Sequence, residues 1–472
     1  MRAEFRMYGQ TPRLSREDDM TIPTDYAEDM QALLGADYPA FAEALLTQPP
    51  LRGLRVNTRK LSAEAFAAVS PWPLSPSALC RDAFIADTED RVGLHPYHHA
   101  GLFYMQEPSA SAVIEALDPQ PGWTVLDLCA APGGKSTHLA ARLGDEGILV
   151  SNECVASRVK PLCSNLERIG AKNAVITSAM PDQLADAWGA CFDAVVVDAP
   201  CSGEGMFRRD EVAVREWSRE HVLGCAERQL LILEDAARMV AGGGILLYST
   251  CTMNIHENEE VLDRFLSAHP EFTMEPITAV SLPRAFSTEI GLREEIALAG
   301  RLMPHVIPGE GHFIARLRKS GDEREALPFS MGKAPGKAEQ KILQDFIEET
   351  FTSILWTEPT LRGDAVWLSP GDLPYAVRSG VCLGHFVRGR FEPDHSLFLA
   401  ENADFFQRTV ILSPDDPRMA AYLRGEQISA DCGKGWCAVC VEAGGQAYPL
   451  GMGKASNGAV KNHYPKGLRN FK

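Results

Sequence analysis

Between residues 107 and 318 the chain repeats one pattern five times: a short apolar run, a turn of small or polar residues, then a segment with apolar residues at helical spacing. The runs are TVLDLCAA (124–131), GILVSNE (147–153), AVITSA (174–179), FDAVVVDAP (192–200) and GGILLYSTC (243–251), separated by stretches such as ASRVKPLCSNLERIG and AERQLLILEDAARMV. Strands this apolar have no polar face to offer water, so both faces must be covered, as they are in a parallel sheet flanked by helices. The alternation predicts a doubly wound α/β domain over 107–318. Ligands of such domains sit beyond the carboxyl ends of the strands, which makes the residues after each run the candidates for function.

The rest of the chain divides around this domain. Residues 1–20 are polar, charged and aperiodic, and read as a disordered tail, with Met20 as an alternative natural start. Residues 21–106 form a small N-terminal domain. It opens with two short helices over 22–47, separated at Gly35, and continues with the basic strand-like run LRGLRVNTRK. Arg52, Arg55, Arg59 and Lys60 of that run are read either as phosphate contacts or as a solvated edge strand. Residues 319–340, rich in charge, Gly, Pro and Ser, are expected to be a linker. An accessory module follows over 341–405, and a last module over 406–472.

Charge and cysteine usage narrow the function classes. A net charge of −17 argues against indiscriminate coating of nucleic acid, which is mostly phosphate neutralisation. The end of the chain is nonetheless basic: Lys454, Lys461, Lys466, Arg469 and Lys472 occur without one Asp or Glu after residue 444. Most of the 12 cysteines are scattered singly, which is not a disulfide framework, so reduced thiols are expected. With no long apolar run and no secretion-signal core near the start, a cytoplasmic protein without membrane contact is expected. Cys432, Cys437 and Cys440 supply three thiols in a strand-like stretch with no evident fourth ligand, so they read as packed thiols and no metal is expected.

Three motifs carry chemistry. In LDLCAAPGGKSTHLA (126–140) a strand ends, a loop of small residues follows, and a helix begins near Lys135. Small residues let a cofactor lie against backbone N–H groups at a helix N-terminus, and the motif is neither G-x-G-x-x-G nor a phosphate loop. The second strand ends in Glu153, where doubly wound folds place an acid on ribose hydroxyls; capping the next helix is the plain alternative. Together the loop and the acid fit S-adenosylmethionine. In DAPCSGEGMF (198–207) and YSTCTMNIHENEE (248–260), Cys201 and Cys251 each follow a predicted strand. A lone buried cysteine is usually inert packing, but two at adjacent strand ends converge on one site.

These motifs, with RGLRVNT, YMQEPSASA (104–112), PLGMGK and KNHYPKGLR, resemble the Nop/Sun family of RNA cytosine-C5 methyltransferases, and within it the bacterial RsmF type acting on 16S ribosomal RNA. The resemblance covers nearly the whole chain after residue 20. It implies a Rossmann-like class I methyltransferase domain, an N-terminal RNA-binding domain and a PUA-like C-terminal region. It also implies that Cys251 attacks C6 of the cytosine and that Cys201 helps resolve the adduct. Cys129, Ala130, Ala131, Pro132, Gly133, Gly134 and Lys135 would contact the cofactor. Glu153 would hold its ribose, Arg158 matches a recurrent arginine of the family, and Asp198 would lie between cofactor and base. DNA cytosine methyltransferases attack with the Cys of a Pro-Cys motif, and the Cys251 of STCT is what separates this chain from them. Family members usually carry an acid after the third strand for adenine, but here the segment is TSAMPDQ. Adenine binding through backbone or through Asp182 stays open.

The expected activity is therefore 5-methylcytosine formation in 16S ribosomal RNA by a monomer. The alternatives are the same chemistry on transfer RNA, or a weakly active RNA-binding ribosome assembly factor. A factor of that kind would have no use for paired strand-end thiols. An exocyclic-amine methyltransferase would show N/D-P-P-Y/F after the fourth strand, where this chain has DAPC.

Overall fold

The computed structural model describes residues 22–354 and 358–470, so the tail expected over 1–20 and the alternative start at Met20 lie outside the described residues. The centre of the molecule is the doubly wound sheet. Its strands are β1 (Thr124–Asp127), β2 (Ile148–Asn152), β3 (Ala174–Thr177), β4 (Phe192–Asp198), β5 (Val240–Thr250), β6 (Phe272–Glu275), β7 (His312–Lys319) and β8 (Ala376–Ser379). They lie in the order β6-β7-β5-β4-β1-β2-β3-β8, and a ninth short strand, Gly300–Leu302, pairs antiparallel with β7 off this path. The strands β1 to β5 are mutually parallel, and β6, β7 and β8 pair antiparallel at the two ends.

Side-chain alternation explains why the five runs are apolar throughout. Leu126, Val150, Val195 and Leu246 point into one core, with Trp188, Leu233 and Phe265 from helices Pro181–Trp188, Arg219–Met239 and Glu259–Ala268. Their neighbours Val125, Leu149, Val196 and Leu247 point into the other core, with Ile114, Leu139 and Leu166 from helices Pro108–Leu117, Gly134–Leu143 and Ala156–Ile169. Burying each such side chain contributes roughly 1.5–3 kcal/mol, and a polar residue at any of these positions would face a dry layer.

The flanking segments are less separate than their composition suggests. The strand β8 comes from the stretch expected to be an independent accessory module, and it covers the open edge of β3. The expected linker lies along the sheet: Gly242 N donates to Glu323 O at 2.7 Å, Glu325 N donates to Ala190 O at 2.9 Å, and Leu327 and Phe329 pack on the core. Beyond it, helix Lys337–Thr350 precedes a four-stranded antiparallel sheet built from Thr360–Arg362, Ala365–Leu368, Val381–Val387 and Arg390–Pro393.

The N-terminal domain has the two expected helices, Thr24–Leu34 and Tyr38–Thr47, and a four-stranded antiparallel sheet. Its strand Gly53–Val56 lies between two others and is buried along its whole length, so the solvated-edge reading does not hold. The C-terminal five-stranded sheet shares one core with this domain: Leu54, Phe66 and Phe103 pack with Tyr422, Leu450 and Tyr464. Cys437 and Cys440 project from strand Gly435–Ala443 into two different cores. Among the described residues no helix is long and apolar enough to cross a membrane.

Candidate active site

The loop after β1 is shaped by Gly133, whose φ of 112° favours glycine and whose Cβ would meet the Leu162 side chain at 3.3 Å. Helix Gly134–Leu143 starts immediately after it. The loop is fastened by Leu128 N donating to Val196 O and Ala130 N donating to Asn152 O, both 2.9 Å. Asn165 Nδ2 donates to Pro132 O at 2.8 Å. Cys129 lines the same loop, where burial raises its thiol well above the ordinary range. Glu153, 3% exposed, accepts from Val155 N at 2.8 Å and lies 3.4 Å from Arg158 Nη1. Arg158 also donates to Ala131 O at 2.7 Å and so ties the acid to the loop.

Asp127, at the end of β1, is fully buried, yet only one of its oxygens is satisfied. Oδ2 accepts from Ser136 Oγ at 2.6 Å, and Oδ1 has no partner among the described residues. Burial, reinforced by the charge of Asp198, raises its carboxyl to about 7. A buried acceptor left open beside a small-residue loop needs a donor from outside the protein. The ammonium of a methionine moiety meets that need, and Glu153 offers acceptors to ribose hydroxyls. The residues present thus fit S-adenosylmethionine.

The strands β4 and β5 are parallel neighbours in register from Ala194↔Ile245 to Asp198↔Ser249, so their following residues leave the sheet side by side. This sets Cys201 Sγ 3.0 Å from Cys251 Sγ. Beneath the thiols, Asp198 is gripped on both oxygens: Ser249 Oγ donates to Oδ1 at 2.9 Å, and Lys135 Nζ lies 2.7 Å from Oδ2. Burial opposes the charge of Lys135, but the Asp198 carboxylate outweighs it and leaves its pKa raised. Hydrogen bonding to Cys251, together with burial, holds the Cys201 thiol well above its usual range.

Two buried carboxylates lock the loops that carry the thiols. Glu257 accepts from Ser202 N at 2.9 Å, from Gln229 Nε2 at 2.8 Å and from Asn254 Nδ2 at 2.8 Å. Glu204 accepts from Met253 N at 2.6 Å, Asn254 N at 2.9 Å and Trp217 Nε1 at 3.0 Å. Gly205 N donates to Cys251 O at 2.8 Å, and a Cβ on Gly205 would lie 2.9 Å from that same oxygen. Tyr26 of the N-terminal domain covers this assembly, packing on Phe207 and Trp217 with ring centroids 5.1 and 5.4 Å away.

The structure therefore gathers Cys129–Lys135, Glu153, Arg158 and Asp198 around one loop and sets Cys201 and Cys251 beside it. Asp182 is exposed, on the first turn of its helix. Sequence reasoning missed Asp127, although an acid ending the first strand in LDLCAAPGG was its signal. It also missed His312, buried on β7, with Nδ1 3.1 Å from Ser109 Oγ and Nε2 without a protein partner. Lastly, of the two arginines in RGLRVNT, Arg52 stays partly exposed and pairs with Glu89, but Arg55 does not face solvent. Arg55, 2% exposed, donates to Gln106 Oε1 at 2.6 Å and Thr137 Oγ1 at 2.7 Å, and so braces the helix that follows the cofactor loop.

Comparison with known proteins gives this arrangement a context. Residues 22–108 match the N-terminal domain of 16S rRNA methyltransferase RsmF, 114–318 match 16S rRNA methyltransferase RsmB/F, and 409–470 match the methyltransferase RsmF PUA domain. Ribosomal RNA small subunit methyltransferase F of Vibrio campbellii is 33% identical over 95% of this chain and 97% of its own length. The protein of the same name from Erwinia tasmaniensis is also 33% identical, over 96% of this chain and 98% of its own. Among solved structures, a methyltransferase homologue protein from Pyrococcus horikoshii is 29% identical with a TM-score of 0.57, over 64% of this chain and 96% of its own. NSun6 from Pyrococcus horikoshii, solved with SFG, shares the fold at 21% identity and a TM-score of 0.55, over 64% and 99% of the two chains. With relatives at 33% identity along 95% of its length, the chain belongs to the ribosomal RNA small subunit methyltransferase F family, whose cofactor is S-adenosylmethionine.

Proposed function

We propose that this protein methylates C5 of a cytosine in 16S ribosomal RNA through a covalent bond between Cys251 Sγ and C6. The observation that carries this reading is the 3.0 Å approach of two thiols at adjacent strand ends, beside the Lys135–Asp198 pair and the small-residue loop. C5 of cytosine is a weak nucleophile until something adds at C6. Sulfur suits that addition because a thiol reacts at neutral pH even when only a few per cent is ionised. Bond formation between Cys251 Sγ and C6 moves the C5–C6 π electrons to C5. S-adenosylmethionine supplies the methyl group from its sulfonium.

C5 then carries both a methyl group and a proton. The proton leaves to a base, its electron pair restores the C5–C6 double bond, and the C6–S bond breaks to return Cys251 as thiolate. Cys201 assists this elimination from 3.0 Å away. Hydrogen bonding to Cys251, then burial, raises its pKa. Asp198, gripped by Lys135 and Ser249, borders the base. Cys129–Gly134 cradle the cofactor, and Arg158 steadies the loop against Glu153.

The cytosine must leave its stack for C6 to be reached from the ring face. Residues 21–106 and 406–472 would hold the RNA and 107–318 the chemistry. Shape and backbone recognition suits a PUA-like end rich in Lys and Arg. We read the protein as a monomer that acts on its ribosomal RNA substrate in the cytoplasm.

Bisulfite sequencing of ribosomal and transfer RNA, with and without the gene, tests the reading. Loss of a methylcytosine in 16S ribosomal RNA, not restored by Cys251→Ala, is the expected result. Loss confined to transfer RNA would overturn the substrate, and no change in either RNA would favour an assembly factor of low activity.

A further inference from the structure

A cavity of about 180 Å³ lies where three parts of the molecule meet. His98 and His99 of the N-terminal domain line it, with Asn165 and Arg168 of helix Ala156–Ile169, and His395 and Tyr464 of the C-terminal segments. At roughly 30 Å³ per water in the liquid, it has room for a tetrahedral oxyanion.

The one acid in its lining, Glu167, is paired with Arg378, which leaves Arg168 as the uncompensated charge. The Arg168 guanidinium donates to His98 O at 3.2 Å, Phe103 O at 3.1 Å and Asn165 Oδ1 at 2.8 Å, and no carboxylate pairs with it among the described residues. Lys60, packed behind it, donates to Ala100 O at 2.7 Å, and burial, with Arg168 next, lowers it to about 7, so it carries only part of a charge at neutral pH. The acids nearby are engaged elsewhere: Glu167 pairs with Arg378, Asp394 accepts from Ser396 N and Oγ at 2.9 and 2.7 Å, and Asp145 pairs with Arg59. Keeping a guanidinium out of bulk water without a counter-charge is costly. A second, independent observation points the same way. His395 is 6% exposed and its Nδ1 is buried with no partner.

We propose that this junction is an oxyanion site, in which Arg168, with His98 and His395, binds a phosphate-class group. The group is either a backbone phosphate of RNA or a free phosphate or sulfate ion. Arg168 stays charged at neutral pH although burial pushes it down to about 10. Burial, with Lys60, lowers His395 to about 4 against the pull of Asp394, whereas His99 is already engaged, Nδ1 with Tyr464 Oη at 2.7 Å and Nε2 with Asn470 Nδ2 at 3.1 Å. His98, also depressed by burial and then by Arg168, faces the same space. An anion would reverse these shifts, so binding takes up protons and strengthens as pH falls. Occupancy would also clamp the three modules together.

The test is isothermal titration of the full chain with sodium sulfate, an ion whose charge is constant between pH 5.5 and pH 8, at ionic strength held fixed with chloride. Saturable binding, at least tenfold tighter at pH 5.5 than at pH 8 and weakened more than tenfold in Arg168→Gln and His395→Gln, is expected. Because Arg168 also braces backbone carbonyls, His395→Gln gives the decision if Arg168→Gln does not fold. No saturable binding, or equal binding by a folded variant, overturns the proposal. Titration repeated with a bound RNA hairpin separates the sources: displacement of RNA by sulfate assigns the site to backbone phosphate, and additive binding assigns it to a free ion.

Discussion

Cys201 and Cys251 are near-equivalent by position, each the third residue or nearer after a buried strand, and environment separates them. Hydrogen bonding to Cys251, then burial, raises the Cys201 thiol, and in the proposed mechanism Cys201 serves the later step while Cys251 attacks. Cys201→Ala should therefore leave a covalent RNA–protein adduct stable to denaturing electrophoresis, with turnover down by a factor of about a thousand or more, while Cys251→Ala forms no adduct. Asp127 carries a pH dependence of definite sign. Its folded pKa of about 7 lies above the ordinary 3.8, so its contribution is full below about pH 4 and is lost as pH rises to 7. At about 1.4 kcal/mol per unit the loss is up to about 4 kcal/mol. Asp127→Asn should remove that part of the acid-to-neutral slope in chemical denaturation. Cofactor binding to the native protein should release a proton near pH 6, read from calorimetry in buffers of different ionisation heat, and the variant should release none. Cys201, Cys251 and Glu153 were legible because a strand pattern followed by an isolated reactive residue marks a sheet edge. Asp127 was harder to see, since an acid inside an apolar run reads as the end of the run rather than as part of the site.

At the scale of elements, the five parallel strands were readable because burial on both faces forces uninterrupted apolar runs. Helix Lys337–Thr350 was not, because it buries only Leu343, Phe346 and Thr350, a stripe too narrow to stand out in a charged segment. The locking of the two thiol-bearing loops was also invisible, since Glu204 and Glu257 look like surface acids until both loops are placed side by side. Removing Glu257 would strand the donors of Ser202, Gln229 and Asn254 in a dry interior. At about 1–3 kcal/mol for each unsatisfied group, Glu257→Ala should cost several kcal/mol in urea denaturation. Catalysis should fall further than stability alone requires: with folded protein, kcat drops while KM for RNA changes little, because the modules proposed to hold RNA lie elsewhere and only the thiol spacing is disturbed. A fall in KM-dependent binding instead would mean that these loops hold RNA.

The scale of the whole molecule is where sequence and structure part most. Composition divided the chain into modules and a linker, whereas packing joins them: β8 closes the sheet from some 200 residues away in sequence, and the 319–340 segment lies against it. Such long-range additions leave no local signature, because a four-residue strand such as Ala376–Ser379 has no periodicity of its own to detect. The shared core between the N-terminal domain and the C-terminal sheet has the sharpest consequence. Leu54, Phe66, Tyr422 and Leu450 are completely buried in one cluster, so the two ends of the chain should open together. Leu450→Ala leaves a cavity costing about 2–5 kcal/mol. If the core is one unit, that loss reaches strand Gly53–Val56, nearly 400 residues away in sequence, and its amides should exchange with solvent faster by the same free energy. Exchange that accelerates only within the C-terminal sheet would show two cores that merely touch. Coupled exchange would mean that an RNA gripped at the C-terminal sheet also bears on Arg55 and, through Thr137, on the helix that follows the cofactor loop.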